Sequence, residues 1–459
     1  MKKNEEIIVN IDDMDLNGYG LTHLSGNIIK VRGAIKGQTA KVKIKKVKGK
    51  EIEADIVEIL ERSPLEHDNV CKHFGKCGGC AYLNINYEDQ LKLKEDYVKK
   101  LLGEAGIKGF EFLGIVGSPD VFSYRNKMEY TFGIDDNGAT QLGLHVKGRY
   151  YDIITTEDCR IVDSDFIACL KNVLKYTRQQ GLPHYNIKTH EGYMRYLVIR
   201  KAVNTDEVII NIVTTSQIKH DFSNLVNELI NTKLKGKLVG ILHAVNDSYS
   251  DAVKCEKLEV LYGRDYIMEE ILGLKFKISA FSFFQTNSKG AEKLYSIARE
   301  FAREISNKIL FDLYCGTGTI GIIMAPLAKK VVGIELVEEA VDAARENARL
   351  NGLSNIQFIA GDVAQKIKEI NEKPDVVVLD PPRPGVNPKA IMDIIKLNPE
   401  KIIYVSCNPV SLTRDLKMLT ERQYKVEKVK CVDMFPHTHH VETVVLLKNK
   451  KYRKLENGT

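Results

Sequence analysis

One cysteine stands in a context suited to nucleophilic chemistry. Cys407 lies in Ser406-Cys-Asn-Pro409, directly after the apolar run Lys401-Ile-Ile-Tyr-Val405. Most lone cysteines are inert members of a core. This one falls just past a strand, in a polar turn that the proline fixes. A thiol so placed sits at the carboxyl edge of a sheet, where ligands bind. Further along, Asp433-Met-Phe-Pro-His-Thr-His-His-Val-Glu442 runs into a last strand. Its Glu442 offers a carboxylate that can take a proton, although a surface carboxylate at a strand entrance would look the same. A thiolate and a base together divide one hard substitution into an addition and an elimination. His437, His439 and His440 lack a supporting cysteine or a metal-ligand spacing.

A second group of thiols has different chemistry. Cys71-Lys-His-Phe-Gly-Lys-Cys77-Gly-Gly-Cys80 packs three cysteines among glycines, which let the backbone turn tightly around a soft metal. A four-coordinate site needs one more ligand, and Cys159 in Thr156-Glu-Asp-Cys-Arg160 is the candidate. Zinc and a 4Fe-4S cluster both suit such a set, and spacing does not separate them. A radical-SAM site is disfavoured, because the first gap is five residues where that superfamily has three.

A third group could hold a cofactor. Ile309-Leu-Phe-Asp-Leu-Tyr-Cys-Gly-Thr-Gly-Thr-Ile-Gly reads as strand, glycine loop through Gly316, then helix. Asp312 sits at the strand end. The next strand ends in Glu335, placed for both ribose hydroxyls of an adenosyl cofactor. A third ends in Asp362, placed near the adenine amino group, and a fourth in Asp380-Pro-Pro-Arg383. A carboxylate facing the loop suits a sulfonium and an ammonium and would repel a pyrophosphate, so S-adenosylmethionine (SAM) is expected rather than NAD. With that donor, a Cys407 thiolate added to C6 of uracil would make C5 nucleophilic enough to accept a methyl group, and Glu442 would remove the C5 proton.

Elements must hold these groups in place. Four strands carrying acids at their carboxyl ends, alternating with helices from about residue 271, describe a doubly wound α/β sheet. Before it, roughly residues 63–270 read as strand-rich, with a helix near Ile167 to Arg178 and an amphipathic helix from Tyr87 to Ala105. In this stretch Tyr124-Arg-Asn-Lys-Met-Glu129 offers Arg125 and Lys127 as RNA or base contacts, though strand surface charges would look alike. Residues 1–62 alternate short apolar runs with glycines, as in a small antiparallel barrel. Seven lysines and no acid lie between Lys36 and Lys50, so a strand there would present a basic face, read as an RNA-backbone platform over a solvated edge strand.

The whole chain sets outer limits. Its 459 residues suggest two to four domains, and 44% hydrophobic content supports a real core. A net charge of +6 does not by itself establish nucleic-acid binding. There is no bilayer-length apolar segment and no signal-type start, and the nine cysteines do not form a secreted disulfide framework. A soluble cytoplasmic protein is expected.

Taken together, these motifs resemble the TRAM-domain, iron–sulfur RNA 5-methyluridine methyltransferases over nearly the whole length. The resemblance implies a Rossmann-like SAM-dependent methyltransferase domain (271–459), an N-terminal OB-like TRAM barrel (1–62) and a β-rich central domain (63–270), with the 87–105 helix packed on the catalytic domain. It implies 4Fe-4S ligation by Cys71, Cys77, Cys80 and Cys159. Phe284-Gln285-Thr-Asn287 matches the family's SAM-contacting segment, implying that Gln285 binds SAM, and further cofactor contacts fall at Tyr314, Glu335 and Asp380. Ser-Cys407-Asn-Pro matches the nucleophile motif and His440-Val-Glu442-Thr the base motif. Cys255, Cys315 and Cys431 lie outside these motifs and are given structural roles. The implied partner is RNA, 23S rRNA first and tRNA as the alternative, with no DNA, no membrane and a monomeric chain. Two rival readings fit the motifs less well. An amino-directed methyltransferase would need an aromatic residue after Asp380-Pro-Pro, where Arg383 stands. A non-catalytic RNA-binding or assembly factor would have no need of Cys407 and Glu442.

Overall fold

The computed structural model describes residues 1–16, 18–68 and 70–452. Three sheets dominate it. The first holds six strands between Glu6 and Glu61. In its Thr39–Lys48 strand the period-two pattern buries Ala40, Val42 and Ile44 completely. The lysines between them are not an unopposed stripe. Lys43, Lys46 and Lys48 face Asp55, Glu53 and Glu51 across the ladder, and Lys41 and Lys45 bond Glu6 and Asp55 at 2.8 and 3.4 Å. The sequence run is one-signed; the folded surface is not, because opposite charges pair across strands.

The second sheet has seven strands. Arg149–Thr155, Thr140–Val146 and Lys127–Ile134 form one flank, and Lys257–Gly263 ends the other. The helix Ser164–Gln179 covers one face, burying Phe166, Leu170, Val173 and Leu174. Its Asp163 caps the N-terminus by accepting from the Asp165 N–H.

The third sheet is doubly wound. Its strands run Ile356–Ala360, Lys330–Glu335, Ile309–Leu313, Val376–Leu379, Lys401–Ser406, Glu442–Asn449, Tyr424–Val432 and Glu111–Val116. The first five are parallel, and Glu442–Asn449 enters antiparallel. Strand order reverses between Ile309–Leu313 and Val376–Leu379, which opens a crevice at their carboxyl ends. The fold class is therefore α/β, with a Rossmann-like doubly wound sheet beside β-rich parts.

Glu111–Val116 lies in the stretch that reads as central, yet it forms an edge of this third sheet by pairing with Tyr424–Val432. The helix Tyr87–Glu104 packs beside it and against the helix Pro409–Thr420. That helix buries Gln90, Lys94, Val98 and Leu102, an i, i+4 row with two polar members.

Candidate active site

The register of two neighbouring strands brings the two reactive side chains together. Ser406 pairs with Thr443, so the next residue on one strand, Cys407, and the preceding one on the other, Glu442, leave the sheet side by side. Asn408 then starts the helix Pro409–Thr420, accepting from the Val410 N–H at 3.1 Å, with proline in the first turn. Cys407 is half-buried at this strand-to-helix turn and Glu442 is buried.

Charge in the site is mostly negative. Burial, then the Glu442 and Asp380 carboxylates, push the Cys407 thiol up to about 11, while Arg383 opposes them. Burial and Asp380 push Glu442 up to about 8, again against Arg383. Arg383 is thus the cation acting on both groups. Its backbone carbonyl accepts from Asn408 Nδ2 and Ser411 Oγ, each at 3.0 Å, which ties it to the turn carrying the thiol. Its guanidinium lies 3.1 Å from His440 Nδ1. Burial, His439 and Arg383 push His440 down to about 3, so this imidazole is neutral.

The sheet crevice carries the other candidates. Burial pushes Asp380 up to about 7 at the end of its strand. Asp312 is fully buried and also pushed to about 7, by burial first and then by Asp380 and Glu335. Its Oδ2 accepts from the Gly321 N–H at 2.7 Å, holding the helix Thr319–Met324 behind the loop, and its Oδ1 has no partner. Glu335 accepts from the Gly316 and Val337 N–H groups, both at 3.0 Å. The loop turns through positive φ at Tyr314 (66°), Gly316 (53°) and Gly318 (78°). At Gly318 a Cβ would stand 2.5 Å from Phe358, so only glycine fits. The Tyr314 hydroxyl is pushed to about 12 by burial, with Asp362 and Asp415 adding to it. Asp362 itself is an exposed helix cap, accepting from the Gln365 N–H at 3.1 Å. Gln285 bonds Tyr295, a buried phenol within electrostatic reach of Asp380, Glu442 and Asp312.

These residues fit a cationic methyl donor. Three carboxylates, Asp312, Glu335 and Asp380, share one crevice, and one buried carboxylate oxygen is unsatisfied. A bound sulfonium would offset charge that burial alone disfavours.

The tentative substrate contacts divide. Arg125 borders a cavity with Cys80, His439 and His440. Lys127 forms an ion pair with Glu129 at 2.6 Å and does not border that cavity.

Cys71, Cys77, Cys80 and Cys159 come from two segments, the 71–80 loop and the loop before the helix Ser164–Gln179. Cys77 pairs with Val146 in a β-bridge, and its sulfur accepts the Gly79 N–H at 3.3 Å. Backbone N–H groups of Ile161 and Val162 point at Cys159. Burial and the neighbouring thiols push Cys80 and Cys159 up, Cys159 to about 11. Sulfur donors with N–H groups turned toward them have the chemistry of soft-metal ligands. Among the described residues no three His, Cys, Asp or Glu side chains are set at metal-holding geometry.

Three residues outside the sequence-derived set belong to this picture. Arg383 was visible in Asp380-Pro-Pro-Arg383, where attention fell on the missing aromatic. Lys94 and Gln90 show only as polar residues at i, i+4 spacing to Val98 and Leu102, a signal that periodicity of apolar residues passes over. Gln90 Oε1 accepts from the His437 N–H at 2.9 Å, gripping the turn that leads to Glu442.

The model of the tRNA (uracil-5-)-methyltransferase family matches residues 86–450. The chain belongs to that family. Membership makes it a SAM-dependent RNA (uracil-C5-)-methyltransferase. An uncharacterised RNA methyltransferase of Caldanaerobacter subterraneus subsp. tengcongensis is 61% identical over 97% of this chain and 99% of its own. Another, from Clostridium tetani, is 53% identical over 98% and 99%. Among solved structures, the tRNA (uracil-54, C5)-methyltransferase of Pyrococcus abyssi with S-adenosyl-L-homocysteine superposes with a TM-score of 0.76 at 28% identity, covering 96% of this chain and all of that one. No helix of the described residues is long and apolar enough to cross a membrane.

Proposed function

We propose that this family member methylates C5 of a uracil in RNA by covalent catalysis through Cys407 and Glu442. The observation that carries this is the Ser406–Thr443 pairing, which sets thiol and carboxylate at adjoining strand ends beside the crevice. The Cys407 thiolate adds to C6, and the C5=C6 electron pair moves toward C5 and O4. SAM supplies the methyl group that C5 accepts. Glu442 then takes the C5 proton, the C5–H pair re-forms the double bond, and the thiolate leaves C6. Arg383 favours both anionic forms, Cys407 thiolate before addition and Glu442 carboxylate before proton transfer. Gln285, Tyr314, Glu335 and Asp380 are assigned to the cofactor directly. Asp312 and Gly316 shape its loop, and the Asp362 carboxylate borders the adenine end. A target base within folded RNA has to be extruded to reach the thiol, and Arg125 is assigned to the substrate, with Lys127 behind it.

Cys71, Cys77, Cys80 and Cys159 would hold a 4Fe-4S cluster with a structural role, its four thiolates leaving no open iron. The boundaries 1–62, 63–270 and 271–459 are proposed for barrel, central and catalytic parts, with the 87–104 helix packing on the last and the Glu111–Val116 strand completing its sheet. We assign 23S rRNA as substrate on the four-thiol group, which the resemblance ties to rRNA-acting members. A tRNA is the second reading, favoured by the Pyrococcus neighbour. Mapping 5-methyluridine by mass spectrometry in cells lacking the protein decides between them. The chemistry is tested by mixing the protein with SAM and 5-fluorouridine RNA. A denaturation-resistant adduct that disappears in Cys407→Ala supports it; no adduct with any cellular RNA overturns it in favour of a binding factor.

A further inference from the structure

The barrel's lysine strand is largely opposed by acids on its neighbouring strands, and a second group of positive charge lies elsewhere. It gathers in a cavity of about 270 Å³ where the barrel, the cysteine loop and the turn before Glu442 meet. Arg32 comes from the barrel, Lys147 from the tip of the hairpin joining Thr140–Val146 to Arg149–Thr155, and Arg125 from the start of the central sheet. None of the described residues bordering the cavity is acidic.

Among the described residues, the three cations have a single carboxylate contact between them, and it is a long one. The Lys147 Nζ lies against the barrel backbone, such that a Cβ on Gly33 would stand 3.0 Å from it. Lys147 is exposed and has no ion-pair partner among the described residues. Arg32 makes only a 3.9 Å contact with Asp55, which Lys45 approaches more closely at 3.4 Å. Arg125 spends its Nε on the Lys127 carbonyl at 3.0 Å and forms no ion pair among the described residues. Holding like charges together raises the energy of the empty site, and an anion would relieve it.

The fold fixes this arrangement from below. The Lys147 N–H donates to the Lys76 carbonyl at 2.7 Å, next to the Cys77–Val146 bridge, so the cysteine loop pins the hairpin tip. His440 also borders the cavity, and its ring meets Arg383, which acts on the Cys407 thiol.

We propose that this cavity binds a phosphate of the RNA backbone next to the nucleotide being methylated, through Lys147, Arg32 and Arg125. The assignment rests on the target uracil reaching Cys407, since that places the backbone at the His440 wall. It also gives the barrel a contact with substrate through Arg32 rather than through its lysine strand.

The test titrates polyuridylate binding to the full-length protein against salt. Each phosphate contact in a single strand contributes about 0.7 to the slope of log affinity against log salt. Lys147→Ala should lower that slope by about 0.7 and weaken binding roughly fivefold at low salt, with SAM affinity unchanged. Lys147→Arg should restore both. Lys147→Gln, which keeps the side-chain stem, gives the same reading if truncation disturbs the hairpin. Lys43→Ala, opposite Asp55 on the lysine strand, should leave the slope alone. A wild-type slope in Arg32→Ala/Lys147→Ala, or a loss confined to Lys43→Ala, overturns the site. A wild-type 5-fluorouridine adduct with no slope change defeats the phosphate site alone. A slope change without any adduct retains a phosphate contact and defeats the uracil chemistry with which the proposal places it.

Discussion

Lys94 and Asp433, 339 residues apart, form an ion pair of 2.8 Å with both side chains fully buried. Lys94 also donates to the Phe435 carbonyl at 3.2 Å, so the 87–104 helix grips the turn from Asp433 to His440 at two points. Removing one member of such a pair leaves an uncompensated buried charge and costs about 3–5 kcal/mol. Lys94→Ala should lose that much in urea unfolding. Replacing both residues by apolar ones of similar volume should recover most of it. If the single variant unfolds like wild type, the pair does not anchor the turn.

Arg383 is the cation beside both reactive groups. Arg383→Ala removes what opposes Glu442 and Asp380, so the Cys407 pKa moves further up from about 11. Addition to 5-fluorouridine RNA should slow by roughly 10- to 100-fold at pH 7, each pKa unit being tenfold in thiolate. Because the wild-type and variant thiols both titrate far above neutral pH, the fold-loss should stay constant through the neutral range. Arg383→Lys, which keeps the charge, should recover most of it, and a lysine variant as slow as the alanine one would point to substrate positioning instead.

Glu442→Gln should still form the covalent complex but release it slowly, so adduct accumulates. Turnover at the wild-type rate would rule out Glu442 as the base. Stability gives a second readout. The folded carboxyl titrates at about 8 against an ordinary value of 4.5, so its contribution is fully present below pH 4.5 and is lost as pH rises through 8. The Gln variant escapes that loss, and its thermal midpoint should exceed that of wild type at pH 8.5 and approach it at pH 5.

Much of this site could be read before folding. Cys407 is legible as a candidate from its polar turn past a strand, Glu442 only through the family's base motif, and Asp312, Glu335 and Asp380 because acids recur at carboxyl ends of consecutive strands. What the chain hides is pairing between distant segments. The lysines of Thr39–Lys48 look like an RNA surface until Glu51–Glu61 supplies their acids. Glu111–Val116 reads as one more central strand, and only its pairing with Tyr424–Val432 shows which sheet it completes. Lys94 reads as a solvent residue because burying it makes sense only with Asp433 opposite.

The four-thiol group predicts a measurable prosthetic group. Protein purified without oxygen should carry about four irons per chain, with broad absorption in the visible that bleaches on reduction, if the group is 4Fe-4S. Cys159→Ser should lose the iron and the colour. Zinc in stoichiometric amount with no visible absorption would replace the cluster with a structural zinc site.

The crevice carboxylates make donor binding depend on pH in a defined direction. Asp312 and Asp380 each titrate at about 7 in the unliganded protein because burial disfavours their charge. A sulfonium placed between them favours the ionised forms, so binding releases protons and affinity must rise with pH through that range. Between pH 5.5 and 7.5, SAM affinity by calorimetry should increase by about tenfold or more, one pKa unit being a factor of ten. S-adenosylhomocysteine lacks the sulfonium charge and should show a smaller change. Asp380→Asn should flatten the SAM curve toward that of the homocysteine. Equal pH dependence for the two ligands would mean that the carboxylates do not face the sulfonium, and with that the electrostatic reason for preferring this donor in this crevice would be gone.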